Sequence, residues 1–206
     1  RDLHRVDRRQ RQMCIRDSFI MAKSILDNID ENKTFFISEK NFIYGNIKPD
    51  AFSKYKLKKH YLDESFNMIV SKINYLCSLN IDSLSKYFSV SRLSQELGVI
   101  CHFLCDFFCV AHSERWEFKH SLNKHVTYER ELGAFAKDVD LSKIKCGTIN
   151  SSFEKFFTKL YSDYKKKTDY MNDLKFSAYT CNSVINYILD SILSNTIKSY
   201  HIANCG

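Results

Sequence analysis

The residues that most readily interrupt a helix are nearly missing from this chain, which has one proline and five glycines among 206 residues. Regularly spaced tight turns are therefore excluded, and with them a sandwich or barrel of short strands. The expected fold class is all-α, a single multi-helix bundle. Nothing resembles a linker long enough to separate two globular units, and with 44% hydrophobic residues the chain can bury one sizeable core. No internal repeat is evident. Long apolar runs are missing as well. The most apolar stretch, Leu97 to Ala111, is broken by His102 and Asp106 and is too short to cross a bilayer. No secretory signal peptide is visible, and no integral membrane segment is expected.

Arginine is scarce beyond the start: six of the nine lie at or before Arg16, and lysine is used almost exclusively thereafter. Residues 1–18 therefore read as a non-native leader, a cloning or assembly segment to be set aside when the fold is considered. A mitochondrial-type presequence is the competing reading, against which Asp2, Asp7 and Asp17 count. Those three acids and six arginines give the segment a net +3, so the formal charge of +7 falls to +4 for the remainder. That is too little to argue nucleic-acid binding from charge. The domain proper is expected over 19–206.

Paired cysteine spacing is absent too, although there are eight cysteines. Cys101, Cys105 and Cys109 fall at i, i+4 and i+8, which reads as a buried stripe of small apolar side chains in preference to soft metal ligands. Unpaired thiols favour a reducing compartment, and with no visible signal peptide a cytoplasmic location is expected.

Helical periodicity organises what is present. Ile20 to Ile29 reads as an amphipathic helix. Between Phe35 and Phe52, Tyr44-Gly45-Asn46 and then Pro49 predict a turn between two short helical pieces. Phe66, Ile69, Val70, Ile73, Leu76 and Cys77 recur with helical spacing over 63–79, and Ser91 is the expected N-cap of a helix reaching about Val110. A further helix should carry His125 and Glu129. Ser151 and Glu154 make a capping box for a helix ending near Lys167. The last helix, from Asp169 to about Tyr200, has Leu174, Tyr179, Val184, Ile185, Ile188, Leu189 and Ile192 as its expected core face.

The chemistry-bearing residues lie on this frame. His102 and Asp106, and again His125 and Glu129, are an imidazole and a carboxylate four residues apart, so each pair faces one way with Cβ atoms roughly 6 Å apart. A lone histidine on an apolar helix is ordinarily a hydrogen-bonded core residue. Asp106, however, is flanked by Phe103, Leu104, Phe107 and Phe108, where a carboxylate is costly unless paired or bound to a cation. Gly98, one turn before His102, either leaves room for a ligand or permits close helix packing. With His112 between the pairs and Asp50 and His60 upstream, seven nitrogen and oxygen donors suit a polynuclear zinc site and point to a hydrolase.

The run Gly45-Asn46-Ile47-Lys48-Pro49-Asp50, then Lys59-His60-Tyr61, Leu97-Gly98 through His102-x-x-x-Asp106, His112 and His125-x-x-x-Glu129 resembles the bacterial zinc-dependent phospholipase C family. Order and spacing agree over roughly residues 19 to 135. The resemblance implies an all-α domain that cleaves the phosphodiester of phospholipids, with a first zinc on Asp50, His60, His102 and Asp106 and a second on His112, His125 and Glu129. The third zinc of the family uses the mature N-terminal residue, a histidine just after it and a shared carboxylate, here Asp106. This chain has Asp17 and Ser18 where that histidine is expected, and His4 is a poor substitute, so the third site is incomplete. Such a centre supplies Lewis acidity and a water acidified toward a pKa of about 7. Asp50 is the catalytic candidate for orienting or deprotonating that water, with a purely structural role as its alternative. Arg115, Glu114 and Trp116 border the headgroup site or, in the more ordinary reading, form a surface salt bridge and an anchoring indole. His120 reads as a surface residue.

Three functions are open. The first is a phosphodiesterase on phospholipid or a related phosphoester, with peripheral membrane contact. The second is a single-strand-specific zinc nuclease or nucleotidase with nucleic acid as partner, which should stack bases on aromatics beside the zinc. The third is a non-catalytic, zinc-stabilised helical protein.

Overall fold

A computed structural model describes residues 20–51, 60–86, 88–116 and 122–204, so His4, Asp17, Ser18, Lys59 and His120 lie outside the described residues. Every regular element among the described residues is a helix. A helix over 20–26 (α1) leads through a 3₁₀ turn, Glu31–Phe36, into α2 (Glu39–Ala51). Then come α3 (Leu62–Cys77), α4 (Ile81–Lys86), α5 (Val90–Phe107), α6 (Val110–Ser113) and α7 (Leu122–Ala136). After a second 3₁₀ turn, Leu141–Lys143, the chain closes with α8 (Phe153–Tyr164) and α9 (Tyr170–Asn204).

Helix α5 is the axis of the bundle. From Leu97 to Leu104 every residue is buried, and a helix apolar on all sides is stable only when surrounded by others. Here α2, α3 and α9 cover it. Its cap is Ser89, whose hydroxyl accepts from the Arg92 amide, instead of Ser91. Val90 is already inside the helix, its carbonyl taking the Ser94 hydroxyl at 2.8 Å. The helix also stops at Phe107, short of the expected Val110, and a separate short helix begins there.

The expected turn near Tyr44-Gly45-Asn46 does not occur, because α2 runs unbroken through Gly45 and Pro49. Close approach of two backbones is what the glycines permit. A Cβ on Gly45 would collide with the Gln95 carbonyl, and one on Gly98 would lie 2.7 Å from the Asn46 amide nitrogen and 2.9 Å from the Gly45 carbonyl carbon. Gly98 is thus packed against α2 and leaves no space for a ligand. Pro49 forfeits only the bond to the Gly45 carbonyl, just before the helix ends. Two polar contacts set the register: the Ser38 amide donates to Ser94 Oγ at 2.8 Å, and Gln95 Nε2 donates to Asn41 Oδ1 at 2.8 Å. Residue numbers rise together along both helices, so α2 and α5 run parallel and end side by side.

Helix α9 spans 35 residues, about 52 Å, and lies antiparallel to α5. Leu174, Val184, Ile185, Ile188, Leu189 and Ile192 are buried as expected. Tyr179 is instead half-buried, stacked on Phe156. The cysteine stripe packs as an apolar surface. Cys101 and Cys109 are buried, and Cys105 Sγ lies 3.9 Å from Cys181 Sγ. Contact with Cys181 and burial push the Cys105 thiol well up, which keeps it protonated. Helix α8 is capped by Ser152, which accepts from the Lys155 amide, one residue beyond the expected Ser151. It packs Phe153 and Phe157 against Phe66, Phe107 and Phe108.

Replacing Gly98 by alanine should destabilise the protein by about 2–3 kcal/mol, the scale of overpacking a tight interface. Chemical denaturation should show a lower midpoint with an unchanged slope. A midpoint within error of the unmodified protein would contradict the backbone contact.

Candidate metal centre

The parallel ends of α2 and α5 place Asp50, in the last turn of α2, beside His102 and Asp106 in the last turns of α5. His60 enters from the segment just before α3. His112 comes from α6, and His125 and Glu129 from one face of α7. All seven residues singled out in the sequence therefore converge, although they come from five separate places in the chain.

Two groups can be distinguished. Asp50, His60 and His102 offer one donor atom each within 4.8 Å of one another, and so do His112, His125 and Glu129. Asp106 joins them. Its Oδ2 lies 2.6 Å from His60 Nδ1 and 3.2 Å from His102 Nε2, while its Oδ1 faces His112 Nε2 at 3.7 Å. His102 Nε2 is also 3.1 Å from His60 Nδ1 and 3.6 Å from Asp50 Oδ1. In the second group Glu129 Oε1 is 3.0 Å from His112 Nε2 and 2.8 Å from His125 Nε2.

These separations suit zinc. Ligand bonds of about 2.0–2.2 Å in a tetrahedron put neighbouring donor atoms about 3.3–3.6 Å apart. The observed spacings bracket that value, and the donors are the imidazole and carboxylate groups that zinc prefers. Asp50 Oδ2 is a further sign, a buried carboxylate oxygen without a hydrogen-bond partner.

Electrostatics point the same way. Burial alone would raise the Asp106 carboxyl, yet His102, His112 and His60 hold it well below the usual carboxylate range. Burial also opposes ionisation of Glu129, but hydrogen bonds from His112 and His125 bring it down to about 2. For His102 burial disfavours the imidazolium, and Asp106 with Asp50 outweighs it, raising the pKa to about 9. Positive charge is what the cluster stabilises. Without metal, protonated imidazole supplies it.

Residues just after His112 form the rim. Arg115 pairs with Asp63 and Glu64, its guanidinium 4.8 Å from the Tyr61 ring centre. It has a left-handed backbone, φ 54°, the only non-glycine residue with positive φ among the described residues. Trp116 Nε1 donates to Glu114 Oε2 at 3.0 Å and its ring packs edge-on against Tyr128. The salt-bridge and anchoring-indole reading therefore describes these side chains. One acid near the centre was not foreseen. Asp173, in the first turn of α9, is 1% exposed and receives three hydrogen bonds. An acid at the start of a helix resembles an ordinary dipole partner in sequence, which hides its burial.

The model of one family, zinc-dependent phospholipase C, matches residues 19–171. The chain belongs to the zinc-dependent phospholipase C family. No curated protein and no solved structure matches it. The matched span contains all seven converging residues, and family membership makes zinc and phosphodiester hydrolysis the chemistry to test against the geometry. The zinc-dependent phospholipase C relationship also accords with the helical architecture of the described residues. No helix among the described residues is long and apolar enough to cross a membrane.

In the metal-free protein the contribution of the centre to stability should be bell-shaped in pH. Glu129 has a folded pKa below its ordinary value of 4.5, so its contribution is present above pH 4.5 and lost as pH falls toward about 2. His102 is shifted upward from 6.5, so its contribution is full below pH 6.5 and lost as pH rises through about 9. Denaturation of the chelated protein should show both of these contributions in full only between about pH 4.5 and 6.5, with buried Asp173, raised to about 6, working against them as pH rises from 3.8. Added zinc should stabilise it most on the alkaline side, where the imidazoles are free to ligate. A metal-free protein whose stability still rises from pH 7 to 9 would contradict the arrangement.

Proposed function

We propose that this protein is a zinc-dependent phosphodiester hydrolase that cleaves phospholipid headgroups in the manner of a phospholipase C. Asp50, His60, His102 and Asp106 would hold one zinc, and His112, His125 and Glu129 a second. The observation that carries this reading is the position of Asp106 between the two groups, with one oxygen toward each. Its remaining support is the match of the family over 19–171. When bound, zinc supplies Lewis acidity toward the phosphoryl oxygens and a water acidic near neutral pH.

The protein's own contribution centres on Asp50. Its Oδ1 is turned to His102 and its Oδ2 is buried and free of partners, so Oδ2 can orient a water and accept its proton. The oxygen of that water forms a bond to phosphorus while the bond from phosphorus to the glycerol oxygen breaks. The departing alkoxide takes one proton from water, and Asp50 returns its proton to solvent. Diacylglycerol and a phosphorylated headgroup result, and the carboxylate is restored. Substrate presented in a bilayer would require peripheral contact with the lipid surface.

A zinc nuclease or nucleotidase is the neighbouring reading. It asks for accessible aromatic rings beside the centre to stack bases. Among the described residues, the aromatic neighbours of the histidines, Phe103 and Tyr61, are instead buried at 0% and 4% exposure. That favours the lipid phosphoester.

Elemental analysis of the purified chain should give about two zinc ions per molecule. The loaded protein should hydrolyse a chromogenic choline phosphodiester faster than single-stranded DNA. Preference for DNA would move the assignment to the nuclease, and zinc binding with no turnover of either would leave a zinc-stabilised structural protein. Asp50→Asn at saturating zinc should lower turnover about 10²–10⁴-fold, the usual worth of a general base. Retained turnover would remove Asp50 from the proton transfer.

A further inference from the structure

Asp173 is an acid on α9 that the chemistry above does not use. It lies beyond the span matched to the family, 19–171. Its side chain is buried, and all three of its recorded donors come from other helices. Oδ2 accepts from the Val110 amide at 3.0 Å and from the Tyr128 hydroxyl at 2.8 Å, and Oδ1 accepts from the Tyr164 hydroxyl at 3.0 Å. Burying such a carboxylate is costly, and three donors offset that cost only if all remain in place.

Two of the donors have a consequence for the metal centre. Val110 is the first residue of α6, a helix of four residues whose third is His112. So short a helix has little stability of its own, and the Asp173 bond anchors its leading amide. Tyr128 sits on α7 immediately before Glu129 and three residues after His125. One carboxylate therefore ties down both elements that carry the second group of ligands. Tyr164, the third donor, ends α8, which carries none of the seven.

We infer that Asp173 is a positioning residue for the second metal site, holding α6 and α7 together on α9 so that His112, His125 and Glu129 meet. This rests on the proposed zinc centre. Asp173 touches no ligand and acts through the backbone of α6 and the Tyr128 hydroxyl.

The pair Tyr128→Phe and Tyr164→Phe separates positioning from general stability, since each deletes one hydroxyl from the same carboxylate and keeps its ring. Zinc would be titrated into the metal-free full-length chain against a chelating indicator, with His112→Ala marking which phase belongs to the second site. Tyr128→Phe should weaken that phase about tenfold, the lower end of what outer partners of metal ligands contribute. The first-site phase should be unaffected, and Tyr164→Phe should leave both phases within about twofold of the unmodified protein. Thermal melting of the metal-free variants should show similar losses for the two. Equal effects of both variants on zinc, or no effect of either, would overturn the inference while leaving the zinc centre standing. An unmodified chain that takes up no zinc would overturn the centre and this inference together.

Discussion

Asp106 lies in the last turn of α5, its side chain only 16% exposed, with His60 and His102 at one oxygen and His112 at the other. An isolated carboxylate so placed would cost several kcal/mol even after relaxation. The surrounding structure must therefore deliver positive charge to both of its sides. Three imidazoles do so from three different elements, and each is itself fixed by another acid or by packing. Asp50 faces His102, Glu129 bridges His112 and His125, and Phe103 stacks on His60. Removing the cationic partners while keeping the acid would leave an uncompensated charge in the core. The seven residues consequently behave as one electrostatic unit.

The helices are arranged so that this unit can close. Parallel neighbours need a long return connection, and here α3 and α4 provide it, bringing His60 past the ends of α2 and α5 on the way. The Gly45 and Gly98 contact fixes how near those two helices lie. Asp50 and His102 stand five and four residues beyond those glycines, at the same height in the pair. Any side chain at the glycines would push the helices apart and lengthen the 3.6 Å contact between Asp50 and His102. The packing interface and the metal centre are thus mechanically coupled along a little more than one helical turn.

Much of this was legible in the sequence because it rests on local periodicity. His102 with Asp106 and His125 with Glu129 are i, i+4 pairs whose common facing follows from helix geometry alone. The core face of α9 was readable for the same reason, since Leu174, Ile185, Ile188 and Ile192 keep helical spacing. What misled was chemistry that has two local meanings. Tyr44-Gly45-Asn46 followed by Pro49 spells a turn, but tertiary contact with α5 turns the glycine into a packing device and keeps α2 whole. Ser89 and Ser91, and likewise Ser151 and Ser152, are alternative caps that differ only in where the helix begins, and residue type does not choose between them. Asp173 escaped notice because its three donors lie 9, 45 and 63 residues away, distances over which sequence alone carries no pairing signal.

The direction of the helices adds a field that the side chains alone do not. Both α2 and α5 reach the centre with their C-terminal ends, where unsatisfied carbonyls amount to about half a negative charge each. Asp50, Asp106 and Glu129 add formal charge to the same volume. A phosphodiester is anionic, so these acids and helix ends by themselves disfavour the substrate proposed for the centre. Protonated His102 offsets part of this, and less of it as pH rises through about 9. A cation in the centre would offset the charge that the histidines leave, which is the electrostatic reason for a donor set with three acids to be assembled at these helix ends.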